Sequence, residues 1–78
     1  MSSRAQNEQK FESWEELPGG GRRYRRAVPG RTGWSACYFK EVDVAEATLR
    51  FWQEIYDDAS HLTEVHEKYP VDKGHRKV

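Results

Sequence analysis

The sequence lacks most of the features that assign a small protein to a functional class. Its one cysteine, Cys37, excludes a disulfide within the chain, so we expect a reducing, cytoplasmic setting. No apolar run approaches the length of a membrane span, and residues 1–7 have no apolar stretch of the kind found in secretory signals. Its 13 basic and 13 acidic residues cancel, whereas nucleic-acid-binding domains tend to be basic overall.

Motifs for cofactors and metals are equally scarce. The glycines at 19–21 are not followed by the Lys-Ser/Thr pair and helix of a phosphate-binding loop. Two of the three histidines, His61 and His66, are five residues apart, so they diverge on a strand and on a helix alike, while His75 lies in a polar segment. We therefore predict no metal site and no cofactor.

The composition indicates one small folded domain. Seventy-eight residues suffice for a single domain, and the apolar fraction of 36% predicts a thin core. The aromatic fraction of 13% argues against disorder, because disordered chains are poor in such residues. We expect a disordered lead-in over residues 1–9, a single small β domain over residues 10–70 and a polar C-terminal tail over residues 71–78.

The first half of the domain has the pattern of a hairpin. Residues 11–17 are consistent with a short strand or one helical turn, and Pro18 with the following glycines ends this segment. Residues 22–28 and 34–42 are predicted strands around a loop that contains one proline and two glycines. The second strand is the clearer one, because apolar and other residues alternate along it.

Residues 43–69 have two interpretations. In the helical one, Asp43 is the N-cap and Glu46 its capping-box partner, with an apolar stripe behind them. In the preferred one, residues 48–56 and 61–69 form a second hairpin that turns at residues 57–60. This hairpin pairs Ile55 with Leu62, Trp52 with Val65, Arg50 with Glu67 and Thr48 with Tyr69. The predicted fold is mainly β, a small antiparallel meander of about four strands in two consecutive hairpins, with one short helix as an option. The alternative is an α+β fold in which residues 43–69 are helical.

A resemblance to other proteins is carried by two segments of the second hairpin. FWQEIYD at residues 51–57 and HEKYPVDKGH at residues 66–75 resemble a group of short uncharacterised bacterial proteins, and the likeness covers residues 34–78. It implies two strands joined by a turn that contains glycine, where this chain has Ala59 and Ser60. The resemblance implies a fold and no activity.

A basic block is the strongest functional signal. Four arginines and one tyrosine occupy residues 22–26, and no acidic residue occurs between Arg22 and Lys40. Arginine binds phosphate through two parallel hydrogen bonds and stacks on bases, so an Arg/Tyr strand suits RNA or single-stranded DNA, or an acidic protein. Trp34 and Tyr38 on the neighbouring strand offer stacking surfaces. The candidate binding residues are Arg22, Arg23, Tyr24, Arg25, Arg26, Arg31, Trp34 and Lys40.

The block has a simpler explanation as well. Alternation splits it into Arg22, Tyr24 and Arg26 on one face of the strand and Arg23 and Arg25 on the other. Its arginines would then form surface ion pairs with Glu15, Glu16, Glu41 and Glu54. We nevertheless predict a non-enzymatic binding module that presents this strand to its partner.

Two alternative functions are also open. A small metal-independent ribonuclease-type toxin would use His66 with Glu67 as base and acid and Arg50 to stabilise phosphate. Neighbours in a strand point to opposite faces, however, so His66 and Glu67 need a bulge to reach one substrate. The third hypothesis is an accessory protein that acts through protein–protein contact, as a homodimer through its aromatic face.

Overall fold

The computed structural model describes residues 4–78, which form one helix and six strands. These elements are α1 (Arg4–Lys10), β1 (Ser13–Glu16), β2 (Arg22–Pro29), β3 (Ser35–Val42), β4 (Thr48–Tyr56), β5 (Leu62–Tyr69) and β6 (Gly74–Lys77). The strands make a single antiparallel sheet in the order of the chain. The fold is therefore the mainly β meander that the sequence predicts, with six strands instead of about four. The one helix of the described residues is neither long nor apolar enough to cross a membrane.

Two of the elements, α1 and β6, lie where a disordered lead-in and a polar tail were expected. Residues 4–10 are helical, and Asn7 of this helix is completely buried against the sheet. At the other end, the Asp72 carboxylate accepts a hydrogen bond from the Gly74 N–H, and Gly74 has a φ of 68°. This turn brings the tail back to pair with β5. Residues 1–3 of the expected lead-in lie outside the described residues.

The turns on either side of β4 have the same local chemistry. The carboxylate of Asp43 accepts hydrogen bonds from the N–H groups of Ala45 and Ala47. The carboxylate of Asp57 likewise accepts hydrogen bonds from the N–H groups of Ala59 and His61, which are two and four residues further along the chain. In the first turn the aspartate caps a hairpin turn and no helix follows, so the helical interpretation of residues 43–69 is wrong.

The register of the β4–β5 hairpin differs from the one predicted. Tyr56 pairs with Leu62 and Phe51 with Tyr69, while two shifts in the ladder leave Thr63 and Lys68 as additional residues in β5. Such bulges re-aim side chains locally, and alternation in the sequence does not reveal them. Arg50 and Glu67 still meet, because their side chains reach each other diagonally across the ladder at 2.5 Å.

The sheet has two chemically different faces. The face under α1, called the helix face below, carries Trp14, Tyr24, Arg26, Tyr38, Lys40, Phe51, His66, Lys68 and Tyr69. The other, called the opposite face, carries Arg23, Arg25, Cys37, Phe39, Arg50, Trp52 and Glu67. The main buried cluster lies on the helix face, where Phe11, Tyr24 and Val42 are buried and Tyr38 and Phe51 pack against them, while Cys37 and Trp52 are buried on the opposite face.

Candidate functional site

The first arginines of the basic block are engaged by acidic residues. Arg22 Nη1 lies 2.8 Å from Glu8 Oε2, and Arg22 Nε lies 2.9 Å from Glu16 Oε1. On the opposite face, Arg23 pairs with Glu41 at 2.7 Å and also with Glu15. Each of these arginines therefore has two carboxylate partners, and an incoming phosphate would have to compete with both.

The remaining residues of the block divide between the two faces. Tyr24 has none of its surface exposed, so it contributes to the core and not to a contact surface. Arg25 lies on the opposite face, 3.8 Å from Glu12 and within hydrogen-bonding distance of Cys37 Sγ. Arg26 lies on the helix face, is exposed and forms no ion pair within residues 4–78.

The loop between β2 and β3 holds two further predicted residues apart from the others. Arg31 is exposed, and Trp34 has 40% of its surface exposed. The N–H of Trp34 donates a hydrogen bond of 2.9 Å to the carbonyl of Arg31 at the end of the loop. Both lie at one end of the sheet, beyond the last residue pair of the β2–β3 ladder. The eight predicted binding residues thus do not form one patch.

A buried polar network fixes α1 on the sheet. One oxygen of the Glu46 carboxylate accepts hydrogen bonds of 2.9 Å from Asn7 Nδ2 and from Tyr24 Oη, and the other accepts one of 3.2 Å from Arg4 Nε. Burial raises the pKa of Glu46, but these three bonds outweigh burial and leave the pKa below its usual value. Lys40 Nζ donates to Asn7 Oδ1 at 2.9 Å and so ties the network to β3.

An aromatic strip crosses three strands of the helix face beside this network. The rings of Tyr38 on β3 and Phe51 on β4 stack with centroids 6.3 Å apart. Phe51 is paired across the strands with Tyr69 on β5, which has 46% of its surface exposed. Phe11, which directly follows α1, lines two neighbouring cavities. Phe51 lines both of them, Tyr69 lines one and Tyr38 lines the other. The strip therefore presents aromatic surface along an open groove.

Cations surround the strip. Lys10 lines both cavities, Lys40 lines the one at Tyr69 and Arg26 lines the one at Tyr38. The Lys68 ammonium lies 5.2 Å above the centroid of Tyr38 and 5.7 Å from that of Phe51. Burial, followed by repulsion from Lys10, lowers the pKa of Lys40, as expected where positive charge is concentrated. We call this set the aromatic–cationic groove: Lys10, Phe11, Arg26, Tyr38, Lys40, Phe51, Lys68 and Tyr69.

The groove differs from the basic block in how its charges are balanced. No ion pair with a carboxylate is formed by Lys10, Arg26 or Lys68 within residues 4–78. Lys40 is not one of these cations, because its ammonium donates to Asn7 Oδ1 and the charge of Glu46 acts on it. Within residues 4–78 the groove thus keeps three cations that no carboxylate pairs, as is also true of Arg31, Arg76 and Lys77 elsewhere on the surface.

The residues of the ribonuclease-type alternative lie on different faces. His66 is on the helix face, whereas Arg50 and Glu67 form an ion pair on the opposite face. Arg50 also covers the ring of Trp52, with its guanidinium carbon 4.4 Å from the ring centroid. The bulge at Lys68 does not turn Glu67 towards His66, so the three residues do not meet at one substrate position.

His66 and His75 form a structural pair. The rings of His66 and His75 lie 4.5 Å apart on β5 and β6. His66 Nε2 is 2.6 Å from Asp72 Oδ1, and His75 Nδ1 is 3.5 Å from Glu64 Oε1. Within residues 4–78, no group of three or more histidine, cysteine, aspartate or glutamate side chains is arranged to hold a metal ion. These contacts fasten β6 to the sheet.

Comparison of the chain with protein-family models, with curated proteins and with solved structures gives no match. The site must therefore be interpreted from its own chemistry.

Sequence reasoning included three residues of the groove, Arg26, Tyr38 and Lys40, and missed the others. Lys10 ends α1, whose other residues belong to the lead-in over residues 1–9 that was expected to be disordered, and Lys68 reaches the rings from a bulged strand. The predicted second hairpin was the one signal in the sequence for this groove. It places Phe51 in the same sheet as Tyr38.

Proposed function

We propose that the protein is a binding module for single-stranded nucleic acid, RNA or DNA, and that the aromatic–cationic groove is its contact surface. The supporting observation is the combination of stacked aromatic rings with cations that no carboxylate of residues 4–78 pairs, namely Lys10, Arg26 and Lys68. Proteins that bind single strands join a positive groove, which follows the phosphates, to aromatic side chains, on which bases stack.

The balance of charges favours the groove over the basic block as the site of binding. A phosphate at Arg22 or Arg23 would replace existing ion pairs, so the free energy gained there is small. A phosphate at Arg26 or Lys10 displaces no carboxylate of residues 4–78. Arg23 and Arg26 lie on opposite faces of β2, so substitutions of the two are expected to differ in their effect on binding.

The aromatic component favours nucleic acid over an acidic protein. An acidic peptide would use the cations and leave the rings of Tyr38, Phe51 and Tyr69 without a matching group. Bases supply flat surfaces for these rings. A base stacked on Tyr38 displaces the Lys68 ammonium from the ring face, and the ammonium is then near the adjoining phosphate.

The test compares two arginines of β2 that lie on opposite faces. Arg26→Gln and Arg23→Gln change the net charge equally, and both are measured by fluorescence anisotropy with a labelled oligothymidylate and an oligouridylate over a range of salt concentrations. Three or four phosphate contacts give a slope of about −2 to −3 in log K against log salt. We expect Arg26→Gln to reduce the slope by about 0.7 and to weaken binding about fivefold at 0.1 M salt.

Arg23→Gln is the matched control and is expected to leave affinity and slope nearly unchanged. Thermal denaturation of both variants checks that the fold persists. Equal or greater weakening by Arg23→Gln would move the contact to the basic block. No retention of either oligonucleotide by the wild-type protein at low salt would refute the proposal.

A further inference from the structure

The aromatic–cationic groove is divided into two adjoining cavities of similar size. One has a volume of about 450 Å³ and the other about 370 Å³. Both are lined by Lys10, Phe11 and Phe51, which therefore form the partition between them. Each volume lies within the range of small-ligand sites in proteins.

Each cavity repeats the same pair of chemical groups. The larger has its own aromatic residue, Tyr69, and its own cation, Lys40. The smaller has Tyr38 and Arg26. One ring with one cation corresponds to the base and the phosphate of one nucleotide, so the groove contains this unit twice, with Lys10 between the two copies.

We propose that the groove binds two consecutive nucleotides, one base in each cavity, with the phosphodiester between them at Lys10. This inference rests on the proposed function and adds to it a footprint and a position for one phosphate. Single-stranded binding domains cover from about four to sixteen nucleotides per fold in other proteins, so a strong dependence on the second nucleotide would be a distinctive property.

The first experiment measures affinity against length. Thymidine mono-, di-, tri- and tetranucleotides with a 5′-phosphate, and the corresponding uridine series, are titrated into the full chain at low salt by calorimetry. We expect the second nucleotide to raise affinity by roughly 5- to 150-fold, the range that stacking of one base on an aromatic ring provides. The third and fourth nucleotides should add far less. An equal increase at every step would overturn the two-nucleotide footprint.

The second experiment tests the position of the phosphate. Dithymidine with a normal phosphodiester is compared with dithymidine whose linkage is a neutral methylphosphonate, in the wild type and in Lys10→Gln. The wild type should prefer the charged linkage about fivefold at 0.1 M salt, as one phosphate contact predicts, and Lys10→Gln should lose this preference. A purely structural effect of Lys10 would weaken both ligands equally, and that result would overturn the assignment.

The third experiment separates the cavities. Tyr69→Ala changes a residue that is nearly half exposed, so the fold is expected to tolerate it. It should reduce the affinity of the dinucleotide and leave that of the mononucleotide nearly unchanged, because the cavity at Tyr38 remains. An equal loss of affinity for both ligands would overturn the two-nucleotide inference and leave the proposed function in place. Absence of binding by every oligonucleotide refutes the proposed function, and the inference fails with it.

Discussion

Glu46→Gln is predicted to destabilise the protein by about 2–3 kcal/mol, because it disrupts the hydrogen bonds that hold α1 on the sheet. The Gln carbonyl can take the position of the Glu46 oxygen that accepts from Asn7 and Tyr24, at 2.9 Å in both cases. These two bonds then change from charged to neutral, which costs about 1 kcal/mol each. The amide nitrogen comes to face Arg4 Nε, so a further ion pair worth up to about 1 kcal/mol is lost.

The assay is urea denaturation followed by tryptophan fluorescence, with thermal denaturation alongside. For a domain of this size, 2–3 kcal/mol corresponds to a decrease in the midpoint of about 10–20 °C. Glu16→Gln is the matched control, since Glu16 pairs with Arg22 but is largely exposed. It should cost no more than about 1 kcal/mol.

The pH dependence gives this prediction a second test. The pKa of Glu46 is below its usual value of 4.5 in the folded protein, so its contribution is complete above pH 4.5 and is lost as the pH falls towards the folded-state pKa. The difference in the free energy of unfolding between wild type and Glu46→Gln should therefore narrow in acid. A cost equal to that of Glu16→Gln, or a difference that is constant with pH, would refute the reasoning.

Two further predictions concern other parts of the sheet. Gly21→Ala would place a Cβ atom 2.4 Å from the carbonyl oxygen of Val42, so we expect a loss of about 1–3 kcal/mol in urea denaturation; an unchanged midpoint would contradict this close approach. The hydrogen bond to Glu54, followed by burial, raises the pKa of Tyr56 to about 12, and ultraviolet titration of Glu54→Gln should show this pKa returning towards 10. Identical titration curves for wild type and variant would show that Glu54 has no such effect.

The central strands were the part of the fold that the sequence predicted well. Residues 22–28, 34–42 and 48–56 correspond to β2, β3 and β4 within one residue at each end. The pairing of β4 with β5 was predicted, whereas its register was not, because the extra residues Thr63 and Lys68 leave no mark in the hydrophobic pattern.

The elements that the sequence missed are held by tertiary polar contacts. α1 has no apolar stripe, and its buried residue is Asn7, which is satisfied by Glu46 and Lys40 from the sheet. β6 is polar and is held by Asp72 and the histidine pair. A pattern of hydrophobic residues cannot reveal segments whose burial depends on hydrogen-bond partners far away in the chain.

The candidate site was predicted only in part for a related reason. The basic block is conspicuous in sequence, but the charges of Arg22 and Arg23 are paired with glutamates from α1, β1 and β3 once the chain folds. The aromatic–cationic groove assembles from α1, β2, β3, β4 and β5, so its residues are scattered in sequence. Which cations remain available is a property of the folded surface.

The most direct test of the account is an NMR titration with a short oligothymidylate that follows the aromatic side-chain signals of both faces. The account predicts shifts for Tyr38, Phe51 and Tyr69 on the helix face, with Phe39 and Trp52 on the opposite face almost unchanged. Shifts centred on Phe39 and Trp52, or no shifts at low salt, would contradict the claim that the aromatic–cationic groove binds single-stranded nucleic acid.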